Sequence, residues 1–273
     1  MKNQSSINMF VFTALECEAK TIINQYKLKK ENNRHPFSIY QNDKIILTVT
    51  GIGKVAMAAG VAYTLALFSE STLPILINVG IAGHKNTAVG GLFVASKVAD
   101  VDSGKVFYPQ LIGRNWPESC EITTSAGPCV EYRADCLHDM EASAFYEIAV
   151  KFSSSELIHC IKVVSDNEDS SIDNIQPKQV IEWLAKHELE IDAIFAKLQQ
   201  LRLSITATEL PEFNRILNNW HFTVSGKVRL KALLRQWRVL TSTEWDVEVT
   251  EYRSGKDVLR NLEAEVGRLR VDL

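Results

Sequence analysis

The sequence is poor in the features that cross-link, anchor or metallate a protein. Its five cysteines among 273 residues (Cys17, Cys120, Cys129, Cys136 and Cys160) are odd in number and show no CxxC spacing. That argues against a disulfide framework and the common zinc motifs, and predicts free thiols in a reducing compartment. No apolar stretch reaches the length of a membrane span. The opening MKNQSSINMFVFTALE carries one lysine, and its apolar run is short and soon acidic. No signal peptide is expected, and the predicted location is cytoplasmic. A net charge of −3 supplies no global attraction to nucleic acid or anionic membrane. Internal repeats and low-complexity tracts are missing too.

What is present is ordinary globular material, 46% hydrophobic and 23% charged, long enough for a full core and an appendage. Residues 8–15 are a strand-like apolar run, followed by a helical pattern from Glu16 to about Tyr26 with Ala19, Ile22 and Ile23 on one face. Glu18 in its first turn has two readings: complementing the helix dipole, or pointing into a crevice above a sheet. Phe37–Tyr40 and Lys44–Val49 read as a hairpin turning at Gln41–Asp43. The second strand runs into Thr50-Gly51-Ile52-Gly53-Lys54 and a small-residue helix from Val55 to Phe68. This GxG lacks both the full GxGxxG and the Walker spacing; it suits a phosphate-cradling turn or tight helix–sheet packing.

Pro74–Val79 predicts a buried strand that opens into a turn, Gly80-Ile81-Ala82-Gly83-His84, with His84 a loop residue. Leu92–Val98 and Glu121–Ser125 read as further strands. Between them the irregular stretch with Phe107, Tyr108 and Trp116 either stacks on a planar ligand or covers the core. Pro177 starts one long amphipathic helix to about Leu201. Strands alternating with helices indicate an α/β domain over residues 1–202. Residues 203–273 differ, with short helical patterns at Glu209–Trp220, Lys227–Leu240 and Lys256 to about Arg270. The middle one carries Lys227, Arg229, Lys231, Arg235 and Arg238 and no acid. It suits a protein or nucleic-acid partner or a membrane surface, or is a solvated face neutralised by Glu244, Asp246, Glu248 and Glu251.

The chemistry concentrates between Leu137 and Asp166. LHDMEASAFYEIA puts His138, Asp139 and Glu141 at the mouth of a helix, and a buried strand, Leu157 to Val164, delivers Ser165 and Asp166 at its end. In open α/β sheets, strand C-termini and helix N-termini face one crevice. Carboxylates from two adjacent elements are expected to converge there.

TALECEA, TGIGKVAMAAG, INVGIAG, DMEASAF and VVSDN, in this order, resemble the nucleoside phosphorylase superfamily, and within it the nucleosidases of the methylthioadenosine/S-adenosylhomocysteine type. The resemblance covers roughly residues 8–200. It implies a mixed central sheet, partly closed and flanked by helices (phosphorylase/hydrolase-like), with residues 203–273 left as a small, mostly helical extension. It also implies hydrolysis of the N-glycosidic bond of a purine nucleoside without metal or organic cofactor, by a homodimer, with no membrane involved. Asp166 matches the acid that protonates the leaving base, which must carry a proton at neutral pH, as a dry pocket favours. Glu141 matches the carboxylate on the ribose hydroxyls, Met140 the residue packing on the ribose, and Glu18 the acid that orients the attacking water. Asp139, Gly80, Ile81 and Ser165 fall in the same substrate-binding stretches.

The superfamily's phosphorylases carry an arginine in the turn after strand one and another before the glycine turn. TALECEA and LINVGIAG contain no basic residue, which favours water over phosphate, with Lys54 and Arg133 as possible substitute clamps. Ile81 stands where the nucleosidases usually have a hydroxyl residue, and the interval before DMEASAF is short, so the base-binding region is expected to be rebuilt. Two alternatives stay open: a phosphorylase, and a non-catalytic nucleoside-binding protein whose basic helix at 227–240 binds a partner.

Overall fold

The computed structural model describes residues 7–32, 34–69, 73–129, 132, 134–206, 210–241, 243–246 and 252–271. The chain divides into two compact units, Met1–Arg202 and Leu203–Leu273. In the first, the elements run β1 (Met9–Thr13), α1 (Glu16–Gln25), β2 (Lys29–Lys30), β3 (Ser38–Gln41), β4 (Ile45–Val49), α2 (Lys54–Phe68), β5 (Ile75–His84) and β6 (Leu92–Asp100). There follow β7 (Val106–Phe107), β8 (Ser119–Thr124), β9 (Leu137–Asp139), α3 (Ala142–Ala149), β10 (Ile158–Asp166), α4 (Pro177–Lys186) and α5 (Glu188–Thr206).

The ten strands among the described residues belong to one mixed sheet, ordered β10-β6-β8-β9-β5-β1-β4-β3-β2 with β7 on β6. Because β5 pairs with both β9 and β10, the strands β5, β10, β6, β8 and β9 close on themselves, and β1, β4, β3 and β2 extend from that ring. Closure gives each of these five strands a partner on both sides over part of its length. β1 and β10 are buried along their whole length, which is why β1 reads as an apolar run and β10 as a mainly apolar one interrupted by His159 and Lys162. Phe10, Phe12, Met57, Val61, Phe145 and Tyr146 tie the sheet to α2 and α3 in one core. Gly60 brings α2 onto the end of β4, since a Cβ there would lie 2.5 Å from Cγ2 of Thr50.

Several expectations change. Gly80–His84 is no turn: β5 continues to His84, held extended by β10 on one side and β9 on the other. His84 is therefore a buried strand residue, its Nδ1 accepting from the N–H groups of Asn86 and Thr87. His138 and Asp139 sit on β9, but the Asp139 carboxylate still reaches the mouth of α3, where it accepts the Ala142 N–H, and Glu141 is the N-cap. The helix drawn from Pro177 to Leu201 breaks at His187, which ends α4 with φ −105° and bonds through Nε2 to the carbonyl of Gly90 at 2.7 Å. A tertiary contact interrupts a periodicity that runs on unbroken. The stretch from Asp100 to Arg133 also gains β7, and β8 begins at Ser119.

The second unit holds α6 (Pro211–Asn219), α7 (Val224–Thr241) and α8 (Gly255–Val271) around its own core of Ile216, Trp220, Leu230, Leu234, Val258 and Leu262. The positive charges of α7 are partly matched within this unit. Arg229 pairs with Glu263, and Arg238 reaches Glu212 at 3.2 Å and Glu244 at 3.3 Å. Lys231 lies 5.8 Å from the centroid of the Phe213 ring. Asp246 pairs with Arg215 rather than with α7, while Glu248 and Glu251 fall outside the described residues, as does the side chain of Arg235.

Candidate active site

The site is built on two glycines of β5. A Cβ at Gly80 would stand 2.7 Å from Oε1 of Glu18, and one at Gly83 would stand 2.5 Å from Oδ2 of Asp166. Each glycine thus admits a carboxylate onto the strand. They are three residues apart, roughly 10 Å at the usual strand rise. Gly83 lines the cavity of the site, whereas Gly80, expected among the substrate-binding residues, contacts Glu18 and does not line it.

Glu18 occupies the third position of α1 and turns back over the helix start. Its Oε2 accepts from the N–H groups of Ala14 (2.9 Å) and Leu15 (2.8 Å), and its Oε1 from that of Ile81 (2.9 Å). These bonds satisfy orphan donors at the helix start and fix the carboxylate in place. Burial pushes the Glu18 carboxyl above its ordinary range, opposed by Lys162 and the three N–H groups.

Lys162 is the residue that reading the sequence missed. It sits in the middle of the buried β10, 1% exposed, with Nζ 2.9 Å from Oδ2 of Asp139. Asp139 is held in turn by the Thr124 hydroxyl at 2.6 Å and the Ala142 N–H at 2.8 Å. Burial pulls the Lys162 ammonium down, but the fields of Asp139, Glu141 and Glu18 outweigh it and hold it above the ordinary lysine range. Such an ammonium is tolerated in a core only because carboxylates surround it. Its one visible signal was a lysine inside an otherwise apolar run, IHCIKVV.

Glu141 accepts the Gly53 N–H at 2.7 Å, so the GxG turn serves a side chain of α3. Gly51 and Gly53 adopt φ +92° and +96°, a region that favours glycine. Burial pushes Glu141 up to about 7, with Lys162 and the Gly53 N–H opposing and Asp139 and Glu18 adding to the rise.

Asp166 ends β10 after a register shift that sets it opposite Gly83. A bulge of this kind re-aims a side chain at the end of a ladder. The Ser165 hydroxyl donates to Oδ1 of Asp166 and the Tyr132 hydroxyl to Oδ2. Tyr132, a second residue missed from the sequence, packs edge-on against His138 with ring centroids 5.5 Å apart. Burial first, then the hydrogen bond to Asp166, pushes its hydroxyl above the ordinary tyrosine range.

These groups surround a cavity of about 260 Å³. Glu18, Asp139, Met140, Glu141, Ser165 and Asp166 line it, and Ile81 does so beside Ala82 and Gly83. Ile52, Ile172 and Ile175 give it an apolar side, and Pro128, Cys129 and Tyr132 come from the loop before β9. Among the described residues no lysine or arginine lines this cavity. Lys54 is engaged with Asp100 at 3.0 Å and with Asp102, and Arg133 falls outside the described residues. No group of His, Cys, Asp or Glu among the described residues is arranged to hold a metal ion, and no described helix is long and apolar enough to cross a membrane.

No family model and no curated protein matches the sequence. Solved structures do match. The 5′-methylthioadenosine/S-adenosylhomocysteine nucleosidase of Neisseria meningitidis, in complex with methylthio-immucillin-A, aligns at 19% identity and TM-score 0.55, covering 68% of this chain and 96% of that one. The corresponding enzyme of Colwellia psychrerythraea, in complex with adenine, aligns at 20% identity and TM-score 0.55, covering 72% and 96%. A futalosine hydrolase mutant of Helicobacter pylori aligns at 12% identity and TM-score 0.55, covering 70% and 99%. The chain therefore shares the fold of these solved nucleosidase structures.

Proposed function

We propose that the protein hydrolyses the N-glycosidic bond of a purine nucleoside of the methylthioadenosine/S-adenosylhomocysteine kind, releasing the free base. Asp166 in its protonated form donates to N7 of the purine as the C1′–N9 bond breaks and its electron pair passes into the ring. Glu141 accepts from the ribose hydroxyls and favours the positive charge developing on the sugar, and Met140 packs on the ribose. Glu18 orients water on the opposite face of C1′ and takes its proton as the new C–O bond forms. Acid and base acting on opposite faces of the sugar follow the logic of inverting glycosidases.

The observation that carries this reading is that Glu18, Glu141 and Asp166 line one cavity whose described walls hold no lysine or arginine. A phosphate dianion would find no charged clamp there, which favours water as the nucleophile. Burial raises both Glu18 and Glu141, and Lys162 opposes that rise in each, favouring the ionised forms that a base and a ribose-binding carboxylate require.

The test is mass-spectrometric detection of base released from a panel of purine nucleosides, including 5′-thio derivatives, with and without phosphate. Release without phosphate, reduced by roughly two to four powers of ten in Asp166→Asn, is expected from the loss of general-acid catalysis. Release only with phosphate would make the protein a phosphorylase. No release, together with a thermal shift caused by one nucleoside, would make it a binding protein.

A further inference from the structure

The geometry points to Tyr132 as a positioning residue that sets base affinity: its hydroxyl holds a hydrogen-bonding position on Oδ2 of Asp166 for which a purine has to compete. This inference rests on the proposed role of Asp166 as the group that meets the base.

Three observations carry it. Both oxygens of Asp166 already accept a hydroxyl from the protein, Oδ1 from Ser165 and Oδ2 from Tyr132, and Asp166 is only 2% exposed. Tyr132 lies against the floor of the site, where a Cβ on Gly83 would stand 2.6 Å from its hydroxyl and 2.8 Å from its ring. Its ring is seated edge-on against His138, and it is itself 9% exposed. The tyrosine thus lines the same cavity as Asp166 and occupies one of its oxygens.

A protonated ring nitrogen or an amino group of a purine that engages Oδ2 competes with this hydroxyl for the oxygen's lone pairs. Entry of the base exchanges one hydrogen bond to the carboxylate for another. The affinity for the base is lowered by the worth of the bond given up, and groups that cannot replace it are rejected. Ser165 holds the other oxygen from the same strand, so the carboxylate keeps its orientation during the exchange.

The experiment is calorimetric titration of adenine into the wild type, Tyr132→Phe, Asp166→Asn and the double variant. Phenylalanine keeps the ring and its packing on His138 and removes only the donor. A hydrogen bond to a carboxylate is worth about one power of ten in an equilibrium constant. Tyr132→Phe should therefore bind adenine roughly tenfold more tightly, and the gain should vanish in the Asp166→Asn background. Equal or weaker binding by Tyr132→Phe, or a gain that persists without Asp166, overturns the inference. So does adenine binding to none of the four proteins. Tyr132→Leu, which lacks the same hydroxyl, supplies the comparison if the phenylalanine variant does not fold. Absence of turnover by the wild type would remove the hydrolase reading and leave this binding comparison intact.

Discussion

Replacing Lys162 with methionine should destabilise the sheet-bearing unit strongly at pH 8 and only slightly at pH 5. The ammonium is 1% exposed, lies 2.9 Å from Asp139 and has Glu141 and Glu18 within its field. Methionine fills most of the volume, so packing is nearly conserved and the perturbation is electrostatic. Removing one partner of a buried ion pair costs about 3–5 kcal/mol, because the remaining charge stays desolvated. At roughly 2–4 °C per kcal/mol for a unit of this size, the melting temperature should fall by roughly 6–20 °C. The sign of the pH dependence follows from proton counting. Without the ammonium, burial leaves Glu18 and Glu141 holding their protons to higher pH in the folded chain than in the unfolded one. Stability then falls as pH rises through that interval, and the penalty fades once the carboxyls are protonated in both states. Thermal melts of wild type and variant followed by circular dichroism at pH 5, 6.5 and 8 measure this directly. A loss of less than about 2 °C at pH 8 would refute the reasoning, since that is below the smallest shift the ion-pair cost allows. A loss equal at all three values would show that methionine acts through packing.

Glu141→Gln should have the opposite effect on stability. Burial first, against the opposition of Lys162, pushes Glu141 up to about 7 from 4.5, so its contribution is fully present below pH 4.5 and is lost as pH rises through about 7. Glutamine cannot ionise and still accepts the Gly53 N–H, so the variant should be more stable than wild type at pH 8, by on the order of 3 kcal/mol, and equal to it near pH 4.5. Calorimetric melts at the two values check this, and ribose-dependent ligand affinity should drop in the same variant. Gly83→Ala should cost about 1–3 kcal/mol in stability, as overpacking usually does. Its Cβ would displace Asp166 and Tyr132, so base release should slow by roughly 100-fold, which steady-state assays of a folded preparation would show.

Local pattern was enough for some of the molecule. The hairpin of β3 and β4 was legible because two apolar runs flank a short polar turn. The start of α4 was legible because Pro177 suits a first helical turn. Glu18, Glu141 and Asp166 could be named from the motifs they stand in, since each lies beside a strand or helix end whose position the apolar pattern marks. Where β5 ends was not legible. Gly80-Ile81-Ala82-Gly83 has the composition of a turn, and only pairing with β9 and β10 keeps it extended. Its glycines are there for the side chains that press on them, Glu18 and Asp166, which arrive from distant segments. The break at His187 was hidden for a similar reason, since its cause is the carbonyl of Gly90, far away in the chain.

Lys162 and Tyr132 mark the boundary most clearly. The sequence by itself determined an alternating α/β arrangement, its strand-end acids and a helical C-terminal stretch, because hydrophobic periodicity and end signals are local; the mixed, partly closed sheet was expected only from the resemblance. Tertiary structure alone decided that a lysine in a core strand finds three carboxylates, and that a loop tyrosine reaches Asp166. Those contacts depend on how the closed sheet brings distant segments to one cavity, and Coulombic and hydrogen-bonding partners chosen across such distances leave no periodicity in the chain.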